Sequence, residues 1–195
     1  AKVLTYGFSN DSDIFADNIN MSLSGSEFFL NYKKNKFKIK THLIGNFNIL
    51  NILAAVLACN IIGINFKNII NAINNFYLVP GRIESYKKKN QGIIIIDYAH
   101  TPDAFEKVLT LMKKINPENR IITLFGCGGN RDINKRPLMA EMSEKYSDHI
   151  IITDDNPRYE KSKDIIKQII SGFKLNKYEI ISNRKKAIEV AVQNL

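Results

Sequence analysis

From residue 149 to residue 158 the chain reads His-Ile-Ile-Ile-Thr-Asp-Asp-Asn-Pro-Arg. Three consecutive isoleucines cannot alternate between a wet and a dry face. They suit a strand covered on both sides, the condition of a parallel sheet wrapped by helices. Asn156-Pro157 then signals a turn, and residues 162–173 carry apolar side chains at helical spacing. The same grammar recurs on either side. Upstream it predicts strand 93–96, helix 102–115, strand 121–125 and helix 136–146; downstream, strand 179–181 and helix 184–193. The run Ile93-Ile94-Ile95-Ile96 is also expected to be buried on both faces. Strands alternating in this way with helices predict an α/β domain built on a mainly parallel sheet.

Before Val79-Pro80-Gly81 the pattern is different. Residues 28–32 and 37–40 alternate as half-buried strands do, 46–62 predicts a long helix, and 68–76 a second one. A domain boundary is therefore placed at about residue 80, dividing 1–80 from 81–195.

The 195 residues are 45% hydrophobic and 24% charged, enough to bury a sizeable core. The apolar stretch 49–64 is interrupted by Asn51 and Asn60 and falls short of the roughly 18 residues of a membrane-spanning helix. With no signal-peptide pattern at the start, a soluble cytoplasmic protein is expected. Two cysteines, Cys59 and Cys127, form neither a disulfide framework nor a metal-ligand spacing. The net charge of +9 comes from scattered lysines. Runs such as Lys87-Lys88-Lys89 are expected in loops and lack interleaved aromatics, so the charge suits an anionic small molecule better than nucleic acid.

In open parallel sheets ligands gather at the carboxyl ends of strands, which draws attention to three polar segments. In Asp97-Tyr98-Ala99-His100-Thr101-Pro102, the Asp97 carboxylate could accept from a ribose diol; alternatively Asp97 and Thr101 cap the helix that Pro102 opens. His100 could serve as an acid or base, or be a hydrogen-bonded structural group. In Gly126-Cys127-Gly128-Gly129-Asn130-Arg131-Asp132, the glycines could let amides face an anion, with Arg131 adding a planar fork. The plainer reading pairs Arg131 with Asp132 at the surface. In the third segment Asp154 and Asp155 offer acceptors to an ammonium, while Asn156 and Arg158 offer donors to a carboxylate. That combination suits an amino-acid zwitterion, although turn chemistry and capping also explain it. Earlier, Asn48 and Asn51 lie three apart on a predicted helix and could meet one planar ligand, unless Asn46 merely caps that helix. Arg82, near the boundary, could reach a phosphate or pin two domains together. Neither G-x-x-x-x-G-K-[ST] nor G-x-G-x-x-G occurs in the chain.

In order along the chain, Gly45-x-Phe47-Asn48-x-x-Asn51, Pro80-Gly81-Arg82-x-Glu84, Asp97 to Pro102, the Gly126 to Asp132 loop with Lys135-Arg136-Pro137, and Asp154-Asp155-Asn156-Pro157-Arg158 resemble the Mur ligase family. Within it they resemble the MurE-type branch, from about His42 onward; residues 1–40 match only loosely. The resemblance implies the end of a central ATPase-type α/β domain (1–80) followed by a Rossmann-like C-terminal domain (81–195). It implies an ATP-dependent ligase of peptidoglycan synthesis. Such an enzyme activates the carboxylate of UDP-N-acetylmuramoyl-L-alanyl-D-glutamate as an acyl phosphate and joins it to the amine of meso-diaminopimelate, with ATP and Mg²⁺. Carried over by motif, Asn48 and Asn51 would face adenine, Arg82 the ATP phosphates and Asp97 the ribose. Arg131, Asp155, Asn156, Pro157 and Arg158 would bind meso-diaminopimelate, whose second carboxylate lysine lacks.

No metal ligand is assigned within the chain, and its expected partners are those small molecules, with neither nucleic acid nor membrane and with a monomer as the working state. Asn130 stands where many relatives carry Asp. The family's phosphate loop, its carbamylated lysine and its UDP-sugar domain would lie before Ala1, and a Gly-Lys-Gly-His-Glu segment after Leu195, so a fragment inactive alone is expected. The alternatives are a folylpolyglutamate-synthase-like ligase and a non-catalytic amino-acid- or nucleotide-binding module.

Overall fold

The computed structural model describes residues 3–87 and 92–195, which divide into two compact units, 1–84 and 85–195. In the first, β1 (Tyr6–Gly7) runs parallel to β2 (Ile14–Ser22), and β2, β3 (Gly25–Tyr32) and β4 (Asn35–Thr41) continue as an antiparallel meander in the order β1-β2-β3-β4. One face supplies Ile14, Ala16, Phe28, Leu30 and Ile39 to the core. Helix α1 (Asn46–Ile61) lays Ile49, Ile52, Leu53, Val56 and Leu57 into the same core. Those positions follow the i, i+3, i+4 spacing of a single helical stripe, and full burial of each is worth about 1.5–3 kcal/mol. Helix α2 (Phe66–Asn75) starts where the Asn65 side chain accepts from Lys67 N, and its Phe66 ring stacks on Tyr32 and Phe37.

Strand β2 has no counterpart in the sequence reading. Its alternation holds for Ile14 and Ala16, then breaks where the register shifts between Asp17 and Asn20 and Asn18 takes φ 50°. A bulge of this kind erases the period-two signal.

Strand β5 (Glu84–Lys87), which starts at the last residue of the first unit, leads into the second and pairs with β6 (Ile93–Ile96). Lys87, expected in a loop, ends β5; residues 88 and 89 lie outside the described residues. Helix α3 (Pro102–Ile115) follows, capped by Thr101 Oγ1, which accepts from Ala104 N. The main sheet comprises β7 (Ile122–Phe125), β8 (His149–Ile152) and β9 (Glu179–Ile180), all parallel and in the order β7-β8-β9. Helices α4 (Lys135–Tyr146), α5 (Ser162–Ile170) and α6 (Arg184–Gln193) alternate with them. Ile150 and Ile152 join Phe105, Leu109, Met139, Ala140, Ile165 and Ile169 in one core, while α6 packs against β7 and β8 and carries the buried Ala187.

The isoleucines of β8 are buried, Ile151 and Ile152 at 0% exposure, as a doubly covered strand requires. The parallel expectation for 93–96 is corrected. Ile93, Ile94 and Ile95 are only half-buried and Ile96 is 47% exposed, because among the described residues β6 pairs with β5 alone and lies outside the β7-β8-β9 sheet. A two-stranded ribbon has no interior strand to cover on both faces.

Candidate functional site

Strands β7 and β8 end side by side, Phe125 opposite Ile152, so the segments leaving their carboxyl ends set out as neighbours. They stay in contact through one backbone bond and two bonds between a side chain and the backbone. Gly129 N donates to Asn156 O at 2.8 Å, Arg158 Nη1 to Gly129 O at 2.5 Å, and Tyr159 N to Asn130 Oδ1 at 3.0 Å. The glycines make this approach possible. A Cβ on Gly126 would stand 2.2 Å from Thr153 O, and one on Gly129 only 1.9 Å from Pro157 O. Their absence of side chains therefore serves loop-to-loop packing, a role the sequence reading gave instead to anion binding. Asn130 and Arg158 both adopt left-handed backbone, at φ 51° and 49°. Asparagine does so with little strain; at Arg158 the turn is held by Asn156 Oδ1, which accepts from Arg158 N at 3.2 Å.

Beneath the two loops lies a side chain that sequence reasoning left without a role. Arg136, in the first turn of α4, is completely buried. Its Nη1 and Nη2 donate to Glu160 Oε2 and Oε1 at 2.7 and 2.9 Å, Nη2 also reaches Gly128 O at 3.0 Å, and Nη1 reaches the Gln168 side chain. Glu160 Oε1 in addition accepts from Asn130 N at 2.5 Å. The Arg136 fork, and after it the Asn130 amide, hold the Glu160 carboxyl down to about 2, so it stays ionised through the whole physiological range. The signal for this pair was present. Arg136, Met139, Ala140 and Ser143 occupy one buried helical stripe, and a cation on such a stripe requires a partner.

Cys127, on the first loop, is also buried. Desolvation pushes its thiol up to about 11, so it remains protonated, donating weakly to Met139 Sδ at 3.9 Å.

What the clamped loops present to solvent is mixed in sign. Arg131, Asp155, Asn156 and Arg158 are exposed, and Pro157 is half-buried. The predicted Arg131–Asp132 pair is not made: Asp132 Oδ1 accepts from Asn134 N, and among the described residues Arg131 has no ion pair. Asp154 turns inward, with Oδ1 buried and unpartnered, while its carbonyl accepts from Arg184 Nη1 at 3.2 Å. Arg184, at the start of α6, is a further cation on this rim that the sequence reading omitted. The structure thus brings Arg131's loop and residues 155–158 together in one place.

Two family models account for the chain on either side of its boundary: the Mur ligase middle domain at residues 1–59 and the Mur ligase glutamate ligase domain at residues 81–195. The chain belongs to the Mur ligase family. Among relatives, it is 40% identical over 191 residues to the UDP-N-acetylmuramoyl-L-alanyl-D-glutamate–2,6-diaminopimelate ligase 1 of Clostridium acetobutylicum, covering 97% of this chain and 39% of that protein. It is 41% identical over 195 residues to the corresponding ligase of Rickettsia rickettsii, covering 100% and 40%. The chain therefore spans about two fifths of the length of these relatives. A solved 2,6-diaminopimelate ligase superposes with a TM-score of 0.62 at 32% identity, covering 97% of this chain and 39% of that one. The Mycobacterium tuberculosis folylpolyglutamate synthase superposes at 0.77 with 17% identity, covering 94% and 41%, a likeness of fold alone.

This Mur ligase chain holds its other predicted residues in different settings. In the first unit, Asn48 is buried and its Nδ2 donates to Ile44 O at 2.8 Å, whereas Asn51, one turn on, is exposed. Helix α1 is capped by Gly45 at φ 103° with no side-chain cap, so the alternative reading of Asn46 as the cap does not hold. Arg82 closes a tight turn, donating from N to Val79 O at 3.0 Å with Pro80 and Gly81 (φ 67°) at the centre, and Gly81 N donates to Glu84 Oε2. In the second unit, Asp97 Oδ1 accepts from Ala99 N at 2.7 Å, leaving Thr101 as the helix cap. His100 contacts Tyr98 O through Nδ1, and the His100 carbonyl accepts from Lys135 Nζ. Among the described residues no group of three His, Cys, Asp or Glu side chains could hold a metal ion. Nor is any described helix long and apolar enough to cross a membrane.

Proposed function

We propose that this chain is the nucleotide- and amino-acid-binding part of an ATP-dependent ligase that adds meso-diaminopimelate to UDP-N-acetylmuramoyl-L-alanyl-D-glutamate in the cytoplasm. The observation that carries this reading is the pair of loops fastened together at the carboxyl ends of β7 and β8, with Arg131, Asp155, Asn156 and Arg158 exposed on them. Acceptors and planar donors on one rim match a substrate with an ammonium and a carboxylate. The names of the relatives favour diaminopimelate over other amino acids.

In this reading Arg158 and Arg131 pair with the carboxylate that lysine lacks, and Asp155 and Asn156 take its neighbouring ammonium. Arg158 uses Nη1 on Gly129 O, which fixes the plane of the guanidinium and leaves its other edge for the ligand. Asn51, Arg82 and Asp97 would serve adenine, phosphates and ribose. Asn48, its amide nitrogen already engaged, would offer adenine its oxygen. The residues 81–195 would form the amino-acid-binding domain and 1–80 the end of the ATP-binding one. With the acyl phosphate formed as ATP becomes ADP, the bound neutral amine attacks its carbonyl carbon; the tetrahedral intermediate loses the amine proton to solvent and collapses to the amide, expelling phosphate. What this chain contributes is orientation of the amine and of the nucleotide.

The test uses the full-length gene product carrying this chain, measuring phosphate release with ATP, the UDP-muramoyl-dipeptide and either meso-diaminopimelate or lysine. Turnover with diaminopimelate and little with lysine is expected, since a missing polar group in such a site can cost roughly 10⁴-fold. Equal rates with both would overturn the specificity, and no nucleotide-dependent turnover would overturn the function.

A further inference from the structure

We infer that the pair formed by buried Arg136 and half-buried Glu160 sets the width and register of the amino-acid pocket, making both residues positioning residues for specificity. The inference rests on the proposed function for the identity of the ligand, but its geometry is independent of it. Arg136 belongs to α4 and Glu160 to the loop after β8, and both are bonded to the loop that carries Arg131. Arg136 takes the first loop by Gly128 O and the second by Glu160; Glu160 returns to the first loop through Asn130 N. Gln168 of α5 adds a further acceptor to Arg136. Four pieces of chain are thus tied by one fork and one carboxylate.

The consequence for the exposed residues is direct. Asn130 N is held by Glu160, Asn130 Oδ1 holds Tyr159 N, and Gly129 stands between Asn156 and Arg158. The backbone at residue 130, from which Arg131 follows, and the backbone at 158 therefore cannot change their separation without breaking a bond in this ring. A two-cation pocket for a ligand with fixed carboxylate spacing depends on that separation, and a displacement of about 1 Å can cost up to roughly 100-fold in reactivity.

Glu160 has no spare acceptor for a neutral substitute. Oε1 already takes Arg136 Nη2 and Asn130 N, and Oε2 takes Arg136 Nη1. In Glu160→Gln the new NH₂ must face one of these donors whichever way the amide is turned. The clamp opens although the side chain keeps its size. Glu160→Asp keeps the charge but withdraws it by one methylene, and serves as the second variant.

The experiment compares full-length wild type, Glu160→Gln, Glu160→Asp and Arg136→Lys by steady-state kinetics and by amide hydrogen exchange. Expected is a KM for diaminopimelate raised about tenfold or more with the KM for ATP nearly unchanged, and a reduced preference over lysine. Gly129 and Asn130 amides should exchange about tenfold faster while those of β7 and β8 keep their protection. An unchanged KM for diaminopimelate, or KM values for ATP and diaminopimelate rising together, overturns the inference. Unaltered exchange at Gly129 and Asn130 overturns it too. Wild type without diaminopimelate turnover overturns the proposed function and the specificity it assigns to the clamp, whereas the exchange data still decide whether the clamp fixes the loops.

Discussion

Arg158 and Glu160 stand two residues apart and carry opposite duties. Arg158 is exposed, strained at φ 49° and bonded by one edge to Gly129 O; Glu160 is turned inward to Arg136 and Asn130. A lysine at 158 would supply the charge without the fork, losing either the bond to Gly129 or the pairing with the ligand. In Arg158→Lys the KM for diaminopimelate should rise about tenfold or more, with thermal stability close to wild type; kinetics of the full-length protein check this, and an unchanged KM would remove Arg158 from the pocket. The sequence singled out Arg158 because a guanidinium beside Asn156 at the end of a strand offers planar donors to a carboxylate. It did not single out Glu160, since a lone glutamate after a turn looks like any solvated carboxylate until its partner is seen.

Among the elements, the helices were the most legible. The predicted ranges 46–62, 102–115 and 184–193 agree with α1, α3 and α6 to within a residue, because apolar residues recur at helical spacing and, in α3 and α6, Thr101 and Asn183 cap the start. The strands of the first unit were harder, β1 being two residues and β2 interrupted by its bulge. The loops between β7 and α4 and between β8 and α5 behave as one element, joined by the Gly129–Asn156 backbone bond and by the side chains of Asn130, Arg158 and Glu160. Gly129 is the position that tests this. Its Cβ would fall 1.9 Å from Pro157 O, so Gly129→Ala must push the loops apart. The expected result is a loss of stability of about 2 kcal/mol or more, read by urea denaturation, together with weakened amino-acid binding. Gly81→Ala is the control: it has φ 67° but nothing within 4 Å of its added Cβ, so only the cost of the backbone conformation, about 1 kcal/mol, should appear.

At the scale of the molecule, the two units differ in how they meet acid. Carboxyls are held below their ordinary range at Glu27 by Lys40 and Lys38 in the first unit. In the second, Glu106 is lowered by Tyr146 and Lys145, Asp148 by the Ile121 amide and Lys113, and Glu160 to about 2 by Arg136. A depressed carboxyl stabilises the fold above its unfolded pKa and loses that contribution as pH falls toward the folded value. For Glu160 the window runs from about 4.5 down to about 2. Stability should therefore decline across that interval, more in the second unit than in the first, and the decline should be shallower in Glu160→Gln. Denaturant titrations from pH 5 to pH 2, followed by amide exchange in each unit, measure it. A second unit insensitive to pH in that range would contradict the ion-pair geometry. Salt should weaken the contributions of half-exposed Glu27 and Glu106 before that of Glu160, because solvent screens them more.

The sequence by itself determined the α/β class, the helices and the doubly covered strand at 150–152, and it singled out the polar loops 126–132 and 154–158. All of these are local: periodicity, caps and turn residues act within a few positions of one another. Tertiary structure alone decided the rest. It made β6 a partner of β5 and left it outside the β7-β8-β9 sheet, gave the loop glycines to packing, and buried Asn48 while exposing Asn51. It also joined Arg136 to a glutamate 24 residues away. Pairings of that kind depend on which strands lie side by side, and no short-range pattern records which carboxylate a buried cation will find.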